Sequence, residues 1–260
     1  MVRYEIADSR DIPALKRLWL TCFEEKPEAA DLFFEKALPF SHAYKAEENS
    51  KIIAAVYLTD CTLNGACAHY LCGAATLPGY RNRGVMSGLI CFALADAEKR
   101  GDAYSVLFPA DEGLYRFYAR LGYESRCGIR RTCLRREGER GMAENGFPAD
   151  TDALQKACFG RDFLLWRREL LTFASDYYAV YGIRTVSSPH AMAIYEMENN
   201  TAYVLYAVYD TMEALKNLLF TVKAEQYILT QAGGDEPYGM IRPLGNNPLP
   251  DEVFIGITLN

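Results

Sequence analysis

The chain has 260 residues, half of them hydrophobic and 24% charged, with a formal net charge of -6 at pH 7. That composition describes a folded, water-soluble protein of one large or two ordinary domains and excludes a disordered chain. The acidic balance argues against a general nucleic-acid binder, whose phosphate affinity needs a surplus of Lys and Arg.

In chain order, "VRYEIA" reads as a strand and "DSRDIPALKRLWLTCFEE" as an amphipathic helix, with Ile12, Leu15, Leu18 and Trp19 at helical spacing. A second helix is expected over 27–38, ending at Pro39, followed by strands at 41–47, 51–60 and 66–77. The "LNG" between the last two is a hairpin turn. A helix over 84–100 ends at Lys99, Arg100 and Gly101. "AYSVLFP" is a buried strand, "EGLYRFYARLG" a helix with a glycine stop, and "YESRCGIRRTCLRR" another strand.

Over 137–148 the periodicity disappears and Gly, Glu and Pro accumulate, which sets a domain boundary: one domain over 1–138 and a second over 148–260. The order then begins again. Helices are expected at 149–159 and 161–176, strands at 178–185, 190–197 and 201–208, a helix at 211–223, and strands at 226–231, 237–242 and 252–258. The second half thus repeats the first in pattern but not in visible identity.

All eight cysteines precede residue 159, with no C-x-x-C pair. They give neither a metal site nor a disulfide framework, and free thiols in a reducing cytoplasm are expected. The N-terminus has charges where a signal peptide needs an apolar stretch, and 61–80 is too rich in glycine and polar groups for a membrane span. Six arginines between Arg126 and Arg140 read as a solvated strand end rather than an RNA patch.

The chemistry concentrates in "TLPGYRNRGVMSGLI", residues 76 to 90. A strand end, a tight loop carrying Arg81 and Arg83, and a helix starting near Gly84 make an anion site. The first helical N–H groups lack intrahelical acceptors, the helix dipole favours negative charge, and the guanidinium groups add charge-assisted hydrogen bonds. No G-K-S/T follows, so a pyrophosphate fits and a P-loop does not. In the corresponding place of the second half, "AVYDTMEALKNLL" puts Asp210 at a cap position with Glu213 three residues on. Carboxylates there close the site to anions.

"CGAATLPGYRNRGVMSGLI" resembles the coenzyme-A motif of the GNAT N-acetyltransferases, Q/R-x-x-G-x-G/A after the fourth strand. Arg81 and Gly84 match that form, and Met86 departs from its last small residue. The R-x-R-G-V/L-L/M version looks like the enhanced intracellular survival (Eis) branch, which joins a GNAT domain to a degenerate second one. "GLYRFYARLGYE" resembles the F-Y-x-x-x-G-F/Y segment after the fifth strand. The resemblance covers residues 1 to 135 in detail.

It implies an α/β (α+β) chain of tandem GNAT-like domains, each a mixed, mostly antiparallel sheet flanked by helices. The first would bind acetyl-CoA and the second would be degenerate. Ala74, Ala75 and Thr76 would pair through their backbone with the pantetheine arm. Arg81, Arg83, Gly84, Val85, Met86 and Ser87 would surround the pyrophosphate. Tyr118 would be the general acid for the departing thiolate, with Tyr115 as the substitute. The implied reaction is acetyl transfer to a primary amine by direct attack, without a metal.

The base is open among three groups. His69 is the only histidine or carboxylate of the fourth strand, though a histidine on a half-buried strand is more often structural; a carboxylate is the second candidate. The third is the C-terminus at Asn260, since Eis proteins use that of a third, sterol-carrier-like domain that this chain is too short to hold. Cys72 reads as a small buried residue before it reads as a nucleophile. The rival to an enzyme is a non-catalytic acyl-CoA-binding or regulatory protein whose second domain binds a partner. A small-molecule or peptide amine is the expected substrate, with neither nucleic acid nor membrane as partner; the oligomeric state, a homo-oligomer included, is left open.

Overall fold

A computed structural model describes residues 1–136 and 146–258. Residues 137–145 of the expected linker, and Asn260, lie outside the described residues. In chain order the elements are β1 (Arg3–Ile6), α1 (Ile12–Cys22), α2 (Pro27–Leu32), β2 (Ser41–Glu48), β3 (Lys51–Leu63), β4 (Ala66–Thr76), α3 (Val85–Arg100), β5 (Tyr104–Leu107), α4 (Glu112–Ala119) and β6 (Glu124–Arg135). There follow α5 (Thr151–Phe159), β7 (Leu164–Leu165), α6 (Arg168–Ala179), β8 (Arg184–Ser188), β9 (Ala191–Glu198), β10 (Thr201–Tyr209), α7 (Met212–Leu219), β11 (Gln226–Ala232) and β12 (Glu236–Pro243). No helix among the described residues is long and apolar enough to cross a membrane.

The chain forms two compact units, and they do not divide it at a single point. The first takes residues 1–125 and 239–249, the second 126–238 and 250–258. The sequence reading had placed one boundary between 138 and 148. Instead β6, read as the last strand of the first domain, lies in the second unit antiparallel to β11, with Ile129 opposite Ala232. The end of β12 lies in the first unit antiparallel to β5, with Ile241 opposite Val106.

In the first unit the strand order is β1-β2-β3-β4-β5-β12. The antiparallel meander β1 to β4 turns at Asn64 and Gly65, both at positive φ, as the Asn-Gly pair requires for a tight hairpin. Helix α3 then crosses over so that β5 lies parallel to β4. One face of this sheet is covered by α3 through Leu89, Ile90, Ala93, Leu94 and Ala97, packed on Tyr44, Val56, Leu58 and Leu71. Each large apolar side chain buried here contributes about 1.5–3 kcal/mol. Leu15, Leu18 and Trp19 of α1, with Phe33, are also buried, and Trp19 and Phe33 pack on Tyr57 of β3.

The second unit repeats this plan: the meander β8, β9, β10, then α7, then β11 parallel to β10. Three elements differ from the sequence reading. Helix α6 runs on to Ala179, because Leu170, Leu171, Phe173, Ala174, Tyr177 and Tyr178 keep helical spacing on a buried face; the strand expected from 178 begins at Arg184. The helix expected from 161 starts at Arg168, after Gly160 and Asp162 take positive φ. The strand expected over 252–258 is an irregular segment with one isolated bridge, Phe254 to Phe163.

The α7 cap also moves by one residue. Thr211, not Asp210, accepts the hydrogen bond from the Ala214 N–H at 3.1 Å, while the Asp210 carboxylate pairs with His190 Nδ1 at 2.8 Å. Thr211→Ala is therefore expected to cost about 1 kcal/mol in urea denaturation. Asp210→Ala, which removes only an exposed pair, is expected to cost less than about 0.5 kcal/mol.

Candidate active site

Strand β4 is interior to its sheet yet has one open edge. Its parallel pairing with β5 runs over Ala68–Tyr104, His69–Ser105 and Tyr70–Val106. Beyond that, β4 continues to Thr76 while β5 ends at Leu107. On the other side β3 stays paired, Ala55 with Ala75 and Ala54 with Thr76. Between Cys72 and Ala75 the register shifts, and Gly73 and Ala74 face the single residue Val56. This is a β-bulge, which bends a strand and increases its twist. Gly73 supplies the required conformation at φ 59°, where a Cβ would lie closer than 3.0 Å to the Trp19 and Tyr57 rings. The result is a run of backbone polar groups, Leu71 to Thr76, that an extended ligand can pair with as a strand would.

The open edge leads directly to a helix start. Leu77 to Tyr80 turn tightly, and Arg81 Nε donates to the Thr76 carbonyl at 3.0 Å, fixing the loop to the end of β4. Asn82 and Gly84 take positive φ, and open space surrounds the Gly84 Cα. Helix α3 has no side-chain cap and no acidic residue in its first turn. The N–H groups of Val85, Met86 and Ser87 thus begin a helix that nothing has neutralised. Arg81 and Arg83 are exposed beside them, with the Arg83 guanidinium 5.3 Å from the centre of the Tyr80 ring. Every residue expected at the cofactor site lies on this continuous path.

Helix α4, capped by Asp111 accepting from the Leu114 N–H at 2.9 Å, carries two tyrosines with different fates. Tyr115 is half-buried; Tyr118 is only 6% exposed, edge-on to Phe117 and Tyr123. Burial pushes the Tyr118 phenol up to about 12, and the neighbouring Cys72 of β4 adds to the rise. Tyr118 is therefore the buried member of the pair, in the same core as Leu71 of β4.

Residues 3–126 match the family model described as an acetyltransferase (GNAT) domain. The first unit is a GNAT acetyltransferase domain. Solved structures extend the likeness to nearly the whole chain. A conserved Enterococcus faecalis protein of unknown function is 18% identical, with TM-score 0.75 over 94% of this chain and 73% of that one. A GCN5-related N-acetyltransferase from Kribbella flavida is 16% identical, with TM-score 0.70 over 93% and 70%. Eis1 from Mycobacterium abscessus is 14% identical, with TM-score 0.64 over 94% and 73%. At these identities the likeness establishes a shared two-unit α/β fold. No curated protein sequence matches the chain.

Within the GNAT domain, His69 does not join the open edge. It lies on the paired part of β4, is 0% exposed, and bonds through Nδ1 to Asp102 at 2.7 Å; its Nε2 is buried without a partner. Burial lowers its pKa, and Asp102 only partly offsets that. Burial would raise Asp102 as well, but the His69 hydrogen bond and charge, with Arg100 at 3.0 Å, hold its carboxyl below the ordinary value. Arg100 continues the network to Asp96 and to the Tyr44 hydroxyl. These contacts tie the end of α3 to the sheet. Cys72 is also buried, 3.6 Å from Thr59 Oγ1, with burial pushing its thiol up to about 12. A thiol so far from ionisation is a poor nucleophile.

The second unit supplies a comparison with the GNAT domain. It too has a bulge, between Val204 and Tyr206 of β10, just beyond the last β10–β11 pair at Val204 and Leu229. There Tyr206 packs against Phe159, which packs on Phe254, and Gly256 lies so close to the Tyr206 ring that a Cβ would meet it at 2.9 Å. The unit's own tail covers this position. At α7, Thr211 caps the helix and Glu213 sits in its first turn.

One acidic residue beside the buried Trp19 ring was not singled out from the sequence. Glu25, between α1 and α2, accepts a hydrogen bond from the Trp19 indole N–H, and its charge contributes to the raised pKa of Cys72. Burial raises the pKa of Cys22, at the end of α1, and Arg81 partly offsets that rise. "CFEEK" carries no spacing that marks one glutamate, so the signal is visible only once α1 has packed on β4.

The His69 environment gives a pH signature. Its folded pKa lies below the ordinary 6.5, so on acidification the unfolded chain takes up that proton first. Stability from this group is full above about pH 7 and falls as pH drops through roughly 6.5, with a slope of at most about 1.4 kcal/mol per pH unit. Urea denaturation at pH 7.5 and 5.5 should show this loss, and His69→Asn should reduce it.

Proposed function

We propose that this GNAT acetyltransferase binds acetyl-CoA along β4 and transfers the acetyl group to a primary amine. The observation that carries the reading is the continuous path from the open edge of β4 to the uncapped start of α3. An extended pantetheine arm suits the backbone of Ala74, Ala75 and Thr76. A pyrophosphate suits the N–H groups of Gly84, Val85, Met86 and Ser87 with the guanidinium groups of Arg81 and Arg83. Bound there, acetyl-CoA supplies an activated acyl carbon, and the chain's residues orient it and manage protons. The eight cysteines carry free thiols, which suits work in a reducing cytoplasm.

Tyr118 is the proposed acid. Its phenol stays protonated at any physiological pH and faces a site where burial disfavours a free thiolate as much as a free phenolate. Proton donation at the moment the sulfur leaves avoids that buried charge. The second unit, with its bulge covered and its helix start capped, is proposed to be the degenerate partner of the pair, as in the Eis-like branch.

Isothermal calorimetry with acetyl-CoA tests the binding half. Arg81→Glu with Arg83→Glu is expected to weaken affinity at least 30-fold. Tyr118→Phe should keep affinity within threefold while lowering thiol release with a panel of primary amines by about 100-fold. Tight binding without turnover on any amine would instead support the non-catalytic acyl-CoA-binding protein.

A further inference from the structure

We infer that the second unit carries a ligand site of its own, for a small carboxylate with an apolar or aromatic body, between the ends of β6 and α7. A cavity of about 500 Å³ opens there, lined by Cys133, Leu134 and Arg135 of β6 with Lys216 and Phe220 at α7. Small-ligand sites span roughly 300–1,000 Å³, so the volume suits one. Its buried side is apolar: Phe220 belongs to the core of the unit, and Leu134 packs against that core. Its exposed side carries Arg135 and the half-buried Lys216. Among the described residues neither cation forms an ion pair or a hydrogen bond, and none of the five lining residues is acidic.

The fold does not consume these two charges. Arg136, the next residue along the chain, already serves the helix end. Its Nη2 donates to the carbonyls of Phe220 and Val222 at 2.9 and 2.5 Å, and to the Tyr227 hydroxyl at 2.9 Å. The negative end of α7 is thereby satisfied and offset. Arg136 Nε stays buried without a partner among the described residues, so this corner holds more donors than acceptors. The first unit has the same strand-end position and closes it. There the Leu244 N–H donates to Ala103, just before β5, as the Arg136 N–H donates to Glu225, just before β11. Leu244 is buried in the core that α3 covers. Where the first unit ends in a leucine, the second has a cavity edged by cations.

The lining defines the ligand. Arg135 offers a planar fork that matches a carboxylate, and Lys216 adds a point charge. A bare inorganic anion would leave Leu134 and Phe220 against water, whereas an apolar body joined to the carboxylate would cover them. None of these residues belongs to β4 or α3, so the site does not depend on the acetyl-transfer reading.

The test uses the full chain and 3-phenylpropionate as the probe. Calorimetry should show binding to wild type that is about tenfold weaker in Lys216→Met and about tenfold weaker in Arg135→Met. Both variants keep a straight apolar chain outside the core, and unchanged thermal melting confirms that they fold. Acetate, which lacks the ring, and inorganic phosphate should each bind at least about tenfold more weakly than 3-phenylpropionate. Cys133 reports the place independently. Its exposed thiol, which donates to Gln226 Oε1 at 3.8 Å, should be alkylated several-fold more slowly by iodoacetamide when the probe is saturating. The exposed thiols of Cys67 and Cys91 in the first unit should react at their usual rate. Absence of binding to wild type, equal binding in both variants, or no slowing at Cys133 overturns the site. Phosphate binding as tightly as 3-phenylpropionate overturns the ligand class.

Discussion

The functional reading depends on one local constraint: β4 must remain in the sheet while losing its neighbour on one side. Gly73 makes this happen. Its left-handed conformation allows two residues of β4 to oppose one of β3, just beyond the last β4–β5 pair at Tyr70 and Val106. Burying unpaired backbone groups is costly, so a strand with one open edge has a strong reason to accept an extended ligand. The same glycine lets the Trp19 ring lie on the strand, which packs α1 against β4.

Comparison of the two units separates what the fold provides from what the site adds. Both contain an antiparallel meander, a crossover helix and a parallel strand, and both carry a bulge on the last meander strand. Only the first has arginines before its crossover helix and no cap or acid at the helix start. In the second, aromatic side chains and the tail pack at the bulge, while Thr211 caps the helix and Glu213 sits in its first turn. A helix N-terminus becomes an anion site when nothing of the chain's own occupies it. The two halves differ on that point more than in architecture.

Much of this could be read from the sequence because it is written locally. The Asn64–Gly65 turn, the helix between Gly84 and Gly101, and the Asp111-capped helix carrying Tyr118 are each set by residues within a few positions of one another. The exchange of β6 and β12 was not readable, because each strand has an ordinary alternating pattern that suits either partner; choosing between them is a tertiary matter. The aromatic residues at 177 and 178 suggested a strand, and burial at helical spacing overrode their propensity. Asp210 and Thr211 are both good caps in adjacent positions, and His190, which draws Asp210 away, is far off in sequence.

Hydrogen–deuterium exchange with and without acetyl-CoA tests the central claim most directly, because it reports on the backbone amides themselves. The account predicts added protection in peptides spanning 71–76 and 84–88, with little change over 201–215 of the second unit. Unchanged exchange along 71–76 in a protein demonstrably saturated with acetyl-CoA would contradict it.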